Sequence, residues 1–302
     1  MAFNNIKDGE FTKTIYTMIK EERFTDAITT LIAIVDANPT SKAGLSLLGY
    51  CCYQVQDFFN AASCYEQLAT MHGTEQEEYK LYWAQSLYQA GLYANALKSC
   101  NQIPQESKLK GKALKLESAI RFAEEDLVAA QAAVNAAFSH STANDVDTLV
   151  NMGCILYKEE NYVEALKKFR SAVQMSGFEP QLLYNVAICH YKLKEYGPAI
   201  KSIADIIERG IRDHPELSVG MATEGLEVRS VGNTISLHNS ALVEAFNLKA
   251  ATEYQLKNYE GAREALTDMP PRLESELDPV TLHNMALLTA DANPSESFDK
   301  LQ

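Results

Sequence analysis

Hydrophobic residues in this chain return at helical spacing in short bursts, and the bursts come in pairs joined by polar turns. The clearest pair is Ala43 to Leu68, AGLSLLGYCCYQVQDFFNAASCYEQL. In its first half Leu45, Leu48, Gly49, Cys52 and Tyr53 share one helical stripe. In its second half Phe58, Ala61, Ala62, Tyr65 and Leu68 make the matching stripe, and Gln54 to Asp57 supply the turn between them. Gly49 and Ala61 are small where two backbones must approach closely, and Phe58 wedges the pair. The pattern predicts two short amphipathic helices packed back to back.

Such a hairpin cannot bury both faces alone, so it should recur. The Ala61 place is filled again by Ala27, Ala96, Ala130, Ala165, Ala199 and Ala262, at steps of 34, 35, 34, 35, 34 and 63 residues along the chain. Three residues before each marker alanine stands Phe24, Phe58, Tyr93, Leu127, Tyr162, Tyr196 or Tyr259. Twelve before each stands Ile15, Gly49, Ala84, Ser118, Gly153, Ala187 or Ala250, small in all but the first. Three registers in phase at a period near 34 resemble the tetratricopeptide repeat. The expected fold is all-α: a right-handed α-solenoid of helix–turn–helix repeats, one domain over 1–302. The repeats fall at about 9–39, 43–73, 77–104, 109–138, 147–177, 180–213 and 242–270, with a partial one at 279–302.

Punctuation fits this division. Asp8 or Thr12 can cap the first helix, Pro180 and Pro198 fall in first turns, and Pro270-Pro271 stops the seventh repeat. The fourth repeat diverges most, with Leu127 in the aromatic register and Arg121 where neighbours carry Cys52, Leu87 and Leu156, which predicts weaker packing. The 63-residue step marks an insert of about 29 residues, 214–242. There Leu226, Val228, Ile235 and Leu237 alternate with polar neighbours, and Gly232-Asn233 suits a hairpin turn, so an ordered, packed insert is expected. The final helix is too short to cover its neighbour, which predicts that more chain follows or that something docks there.

Composition narrows the function. The chain has 302 residues, 46% hydrophobic, with a formal net charge of -13 and no basic run, which argues against nucleic acid and anionic membranes as partners. No stretch has the length of a membrane span, and MAFNNIKDGEFTKT has no signal-peptide core. The six cysteines, Cys51, Cys52, Cys64, Cys100, Cys154 and Cys189, show neither CxxC nor zinc spacing and read as buried, reduced thiols. Phosphate loops, GxGxxG, HExxH and GxSxG are all missing. His190 and His238 read as core or loop residues, and Glu274, Glu276 and Asp278 as a solvated acidic stretch. No catalytic residue, metal ligand or cofactor is assigned, and the chain is expected not to be an enzyme.

In a tetratricopeptide stack the first helix of each pair lines the inside. Eight residues before each marker alanine come Ile19, Tyr53, Tyr88, Phe122, Tyr157, Tyr191 or Tyr254. Further along the same face lie Tyr50 and Gln85, then Ser46, Leu81, Tyr184 and Asn247; just after the tyrosines come Gln54, Gln89, Lys158, Lys192 and Gln255. The predicted peptide-binding set is Tyr50, Tyr53, Gln54, Gln85, Tyr88, Gln89, Tyr157, Lys158, Tyr184, Tyr191, Lys192 and Tyr254. Tyrosine gives contact area at low entropy cost, and amides bond peptide backbone, so this wall suits an extended, partly apolar peptide such as a proline-rich one. The lysine and asparagine clamp of chaperone adaptors is missing at Ser46, Tyr50, Leu81 and Gln85.

Two stretches go beyond the general repeat. AGLSLLGYCCYQVQDFFNAASCYEQL, and the segment from Ile206 to Leu287 with SVGNT in its insert, closely resemble the tetratricopeptide-repeat subunit of the intraflagellar transport B complex, the fleer or tetratricopeptide repeat protein 30 family; DGEFT at Asp8 to Thr12 also fits. The resemblance covers essentially the whole chain, although repeat four and SHSTANDVD match poorly, and family members continue past Gln302. It implies a scaffold of the ciliary transport train, needed for cilium assembly, whose superhelix clasps a proline-containing segment of the 52-kilodalton-class B-core subunit. It also implies other train subunits as partners and a cytoplasmic, cytoskeleton-associated ciliary location. An alternative that it implies is an adaptor for kinesin-2 motility or tubulin polyglutamylation through the outer face.

Overall fold

The computed structural model describes residues 11–71, 73, 75–140, 145–219, 229–290 and 292–301. Asp8, Gly220, Gly225, Leu226 and Val228 lie outside them. The described residues form helices and no strand, in two compact units, Met1–Asn151 and Met152–Gln302. The first unit holds α1 (Phe11–Lys20), α2 (Phe24–Ala37), α3 (Lys42–Gln54), α4 (Phe58–Thr70), α5 (Gln76–Gln89), α6 (Tyr93–Cys100), α7 (Lys110–Ala123) and α8 (Leu127–Ser139). The division falls inside α9 (Val146–Lys158). The second unit holds α10 (Tyr162–Ser176), α11 (Pro180–Lys192), α12 (Tyr196–Asp213), α13 (Ile235–Ser240), α14 (Leu242–Gln255), α15 (Tyr259–Thr267), α16 (Pro279–Thr289) and α17 (Pro294–Asp299), with short 3-10 turns at Pro215–Leu217 and Glu274–Glu276.

Each paired helix starts on the residue three before its marker alanine, and all seven markers, from Ala27 to Ala262, are fully buried. The turn before it has one recipe. Its pivot residue is left-handed: Glu22, Gln56, Gly91, Glu125, Glu160, Lys194 and Lys257 all have φ between 58° and 75°. The next amide reaches back to the last turn of the first helix, as in Asp57 N to Cys52 O and Asn161 N to Leu156 O, both 2.9 Å. That bond and the left-handed pivot close the helix as a Schellman turn. Asp57, Asp126, Asn161 and Asn258 then cap the second helix by accepting from the amide three residues on. The turn is therefore built mostly from ordinary residues held by hydrogen bonds, with glycine at one of seven pivots.

The small register sets how close the helices lie. A Cβ on Gly49 would sit 3.0 Å from Tyr65 Cζ, and one on Gly153 only 2.6 Å from Phe169 Cε1. In the divergent fourth hairpin Ser118 holds this place, and its hydroxyl donates to the Ala130 carbonyl at 3.0 Å. Second helices then pack on the next first helices: α2 on α3 and α4 on α5 in the first unit, α10 on α11 in the second. The insert leaves that order intact, since α12 packs directly on α14. Leu217 and Leu237 from its two flanks are buried with Leu242, Phe246 and Met269.

Two expectations change here. Ile235 and Leu237 lie in a helix, not the second arm of a hairpin, because Thr234 accepts from the Leu237 amide and starts α13. In the acidic stretch Glu274 stays exposed as expected, whereas Glu276 and Asp278 are held by the fold. Glu276 accepts from the Ser230 hydroxyl at 2.6 Å and the Leu273 amide at 2.7 Å. The buried Arg272 side chain reaches Asp278 at 3.1 Å, and the Val231 amide donates to the Pro271 carbonyl at 2.8 Å. These bonds tie 230–233 to the segment after α15.

Candidate peptide-binding clefts

In the first unit, α3 and α5 present neighbouring faces with a cleft of about 470 Å³ between them. From α3 come Ser46, Leu47, Tyr50, Tyr53 and Gln54. Tyr65 of α4 closes the floor, and Tyr82 and Gln85 of α5 form the far wall. Tyr50 and Tyr82 are each 42% exposed, so their rings are open to a ligand. Tyr65 is buried with its ring 5.4 Å from that of Tyr82, and burial raises its phenol well above the usual range. On α5 the Tyr79 hydroxyl donates to Glu75 at 3.1 Å.

The second unit has a smaller cleft of about 270 Å³. Tyr191, Tyr254 and Gln255 line one side, His283, Asn284 and Leu287 the other.

The structure thus brings Tyr50, Tyr53, Gln54 and Gln85 together in one cleft and Tyr191 and Tyr254 in another. The remaining predicted residues lie elsewhere. Tyr88 and Tyr157 pack edge-on or tilted against Tyr93 and Tyr162 of their own hairpins, at 5.9 and 5.3 Å, as Tyr191 does against Tyr196 at 6.0 Å, Tyr53 against Phe58 and Tyr254 against Tyr259. The tyrosine register is therefore first a clasp between the two helices of each repeat. Burial pushes the Tyr184 phenol up to about 12, with Glu244 adding to the effect. Gln89, Lys158 and Lys192 are exposed. Leu81 and Asn247, on the same predicted face, point inward: Leu81 is buried with Ile103 and Ala113, and Asn247 bonds Thr281 at 2.8 Å and Asn284 at 2.9 Å.

Sequence reading missed Leu47, Tyr65, Tyr82 and His283. Leu47 and Tyr82 share a register three residues before Tyr50 and Gln85, one helical turn back on the same face. That spacing was the available signal. Tyr65 comes from a second helix, whose face the first-helix register does not describe.

Among the described residues no group of three His, Cys, Asp or Glu side chains is placed to hold a metal ion, and no helix is long and apolar enough to cross a membrane. His190 is buried between Arg170, whose guanidinium donates to Nε2 at 3.0 Å, and Glu195, 2.6 Å from Nδ1. Both ring nitrogens are thus occupied structurally. All six cysteines are free thiols, and burial raises Cys51 to about 11 and Cys52 to about 12, which suppresses the reactive thiolate.

No protein-family model matches the chain. It is 58% identical over its whole length to intraflagellar transport protein 70A of Xenopus tropicalis, covering 46% of that protein. It is 56% identical to the 70A protein of Danio rerio over 98% of the chain, and 52% identical to intraflagellar transport protein 70B of Mus musculus over all of it. The chain spans a little under half the length of these relatives. Among solved structures, a tetratricopeptide repeat protein from Parabacteroides merdae covers 97% of the chain at TM-score 0.60 and 12% identity, with 96% of its own length matched. A chain of the APC/C hetero-tetramer Cut9–Hcn1 matches 99% of this chain over 49% of its own length, at TM-score 0.61 and 12% identity. Those likenesses carry the fold. The identities over the full chain, together with the three-register repeat and its Schellman turns, place this chain in the intraflagellar transport protein 70 family of tetratricopeptide-repeat proteins.

Proposed function

We propose that this chain is the peptide-holding part of a non-enzymatic scaffold subunit of the intraflagellar transport B complex, acting in the cilium. In this reading the first-helix faces hold an extended segment of another B-core subunit, of the 52-kilodalton class that the resemblance implies. The relatives' names support the transport train. One observation supports the mode of binding: adjacent first helices α3 and α5 leave an open cleft with exposed Tyr50 and Tyr82 and the amides Gln54 and Gln85. Aromatic rings supply contact area and amides supply peptide hydrogen bonds, the combination that an extended chain needs.

The test is capture of the B-core subunit by this chain with Tyr50→Ala and Gln85→Ala combined. These residues suit the purpose better than Tyr157 or Tyr191, whose rings clasp their own hairpins; Tyr50 touches Phe24 of the preceding hairpin at 6.3 Å instead. Each buried anchor lost should cost about 2 kcal/mol, so capture should fall by well over tenfold with unchanged helical circular dichroism. Undiminished capture would overturn the cleft reading. Undiminished capture combined with failed kinesin-2 movement or tubulin polyglutamylation in cilia carrying outer-face variants would move the function to the outer face.

A further inference from the structure

Resting on the scaffold reading, we infer that the α3–α5 cleft receives a basic side chain, lysine or arginine, of the bound segment. Four tyrosines, Tyr50, Tyr53, Tyr65 and Tyr82, line this one cleft, and no lysine or arginine does. Aromatic faces carry negative potential and attract a cation within about 6 Å of the ring centre. The polar edge is biased the same way. Ser46 also lines the cleft, and its hydroxyl oxygen can accept. Gln54 and Gln85 add amide oxygens that accept from an ammonium or guanidinium.

The second-unit cleft differs: it has two tyrosines, it is lined by His283, and Lys192 follows its Tyr191. The cation preference belongs to the first unit alone. A proline ring would satisfy the tyrosines but would bring no donor to the Ser46 oxygen or the amides. An acidic side chain would find amide and hydroxyl donors, but it would also meet the negative faces of four rings, and no cation in the lining offsets them. The cleft, at about 470 Å³, has room for a whole arginine side chain.

Titrating the full chain, labelled with fluorotyrosine, with N-acetyl-arginine methylamide tests this, with the norleucine and proline methylamides as controls. The arginine compound should shift the Tyr50 and Tyr82 fluorine signals, assigned by single Tyr→Phe variants, and bind about fivefold or more tightly than norleucine. Tyr82→Phe should keep the preference and Tyr82→Ala should lose it, with unchanged circular dichroism in both. Equal or tighter binding of the proline or norleucine compound, binding indifferent to Tyr82→Ala, or binding by none of the three would overturn the inference. If the arginine preference fails while B-core capture still depends on Tyr50 and Gln85, the scaffold reading stands without a basic anchor. If the preference holds while capture ignores both residues, the scaffold reading falls instead.

Discussion

A single methylene is the margin at the marker alanines. Ala165 has no exposed surface, and its neighbours Leu166 and Phe169 are buried with it. Leucine there has nowhere to go, and overpacking should cost about 1–3 kcal/mol. Gly153→Ala should act in the same direction, because the new Cβ would lie 2.6 Å from the Phe169 ring, which is 1% exposed and cannot swing out. Thermal melts of both variants check this, and unchanged transitions would mean that the small register does not set the helix spacing. The thiols offer a second reading at this scale. With Cys51, Cys52, Cys64, Cys100 and Cys189 buried and their acidities suppressed, a disulfide reagent at neutral pH should modify the folded chain slowly and the urea-unfolded chain at once. Equal rates would contradict the burial.

Among the elements, the hairpin turn offers the sharpest test. A left-handed backbone costs an ordinary residue about 1–2 kcal/mol, which glycine avoids. Glu160→Gly and Lys257→Gly should therefore stabilise by about 0.5–1 kcal/mol after glycine's own entropy cost, and Gly91→Ala should destabilise by about 1 kcal/mol. Nothing lies within 4 Å of a Cβ at Gly91, so that loss would be purely conformational. The turn also shows what a linear pattern can convey. Helix starts were legible because the aromatic, the marker alanine and the small residue sit at fixed offsets within one hairpin. The insert was not, because Ile235 and Leu237 alternate equally well as a strand or as one turn of helix, and the Thr234 cap decides between them. The tie on Glu276 is not legible for a related reason: its partner Ser230 is 46 residues away. That segment yields a pH prediction. Burial raises the Asp278 pKa, but bonds from the Thr281 hydroxyl and amide and from Arg272 outweigh it, leaving it below the usual carboxylate value. A lowered folded value gives stability that is present above the unfolded value and lost as pH falls through the folded one. Asp278→Asn should thus cost about 1–3 kcal/mol at pH 7, and the gap from the parent chain should close as the melts are taken to about pH 3. A gap that stays constant would exclude the ion pair as its source.

For the molecule as a whole, periodicity assigns each residue a face on its own helix and says little about which neighbour that face meets. Tyr53 and Tyr82 show both sides of this. The first was found by register but also clasps Phe58; the second was passed over, yet it walls the larger cleft. Charge is a property that the sequence conveys without any fold. At -13 the chain carries a field that acts on a partner before contact. A segment bringing a basic side chain to the α3–α5 cleft would be drawn in by that field, and salt screens it, the Debye length falling from about 30 Å at 0.01 M to about 10 Å at 0.1 M. Association of the B-core subunit should accordingly slow by about tenfold between low and moderate salt, while dissociation changes little, since the tyrosine contacts work at short range. Stopped-flow mixing at several ionic strengths separates the two rates. Faster association at high salt would indicate an acidic ligand repelled by the chain, contrary to the basic anchor; a slope carried by dissociation instead would locate the charge contacts inside the closed complex.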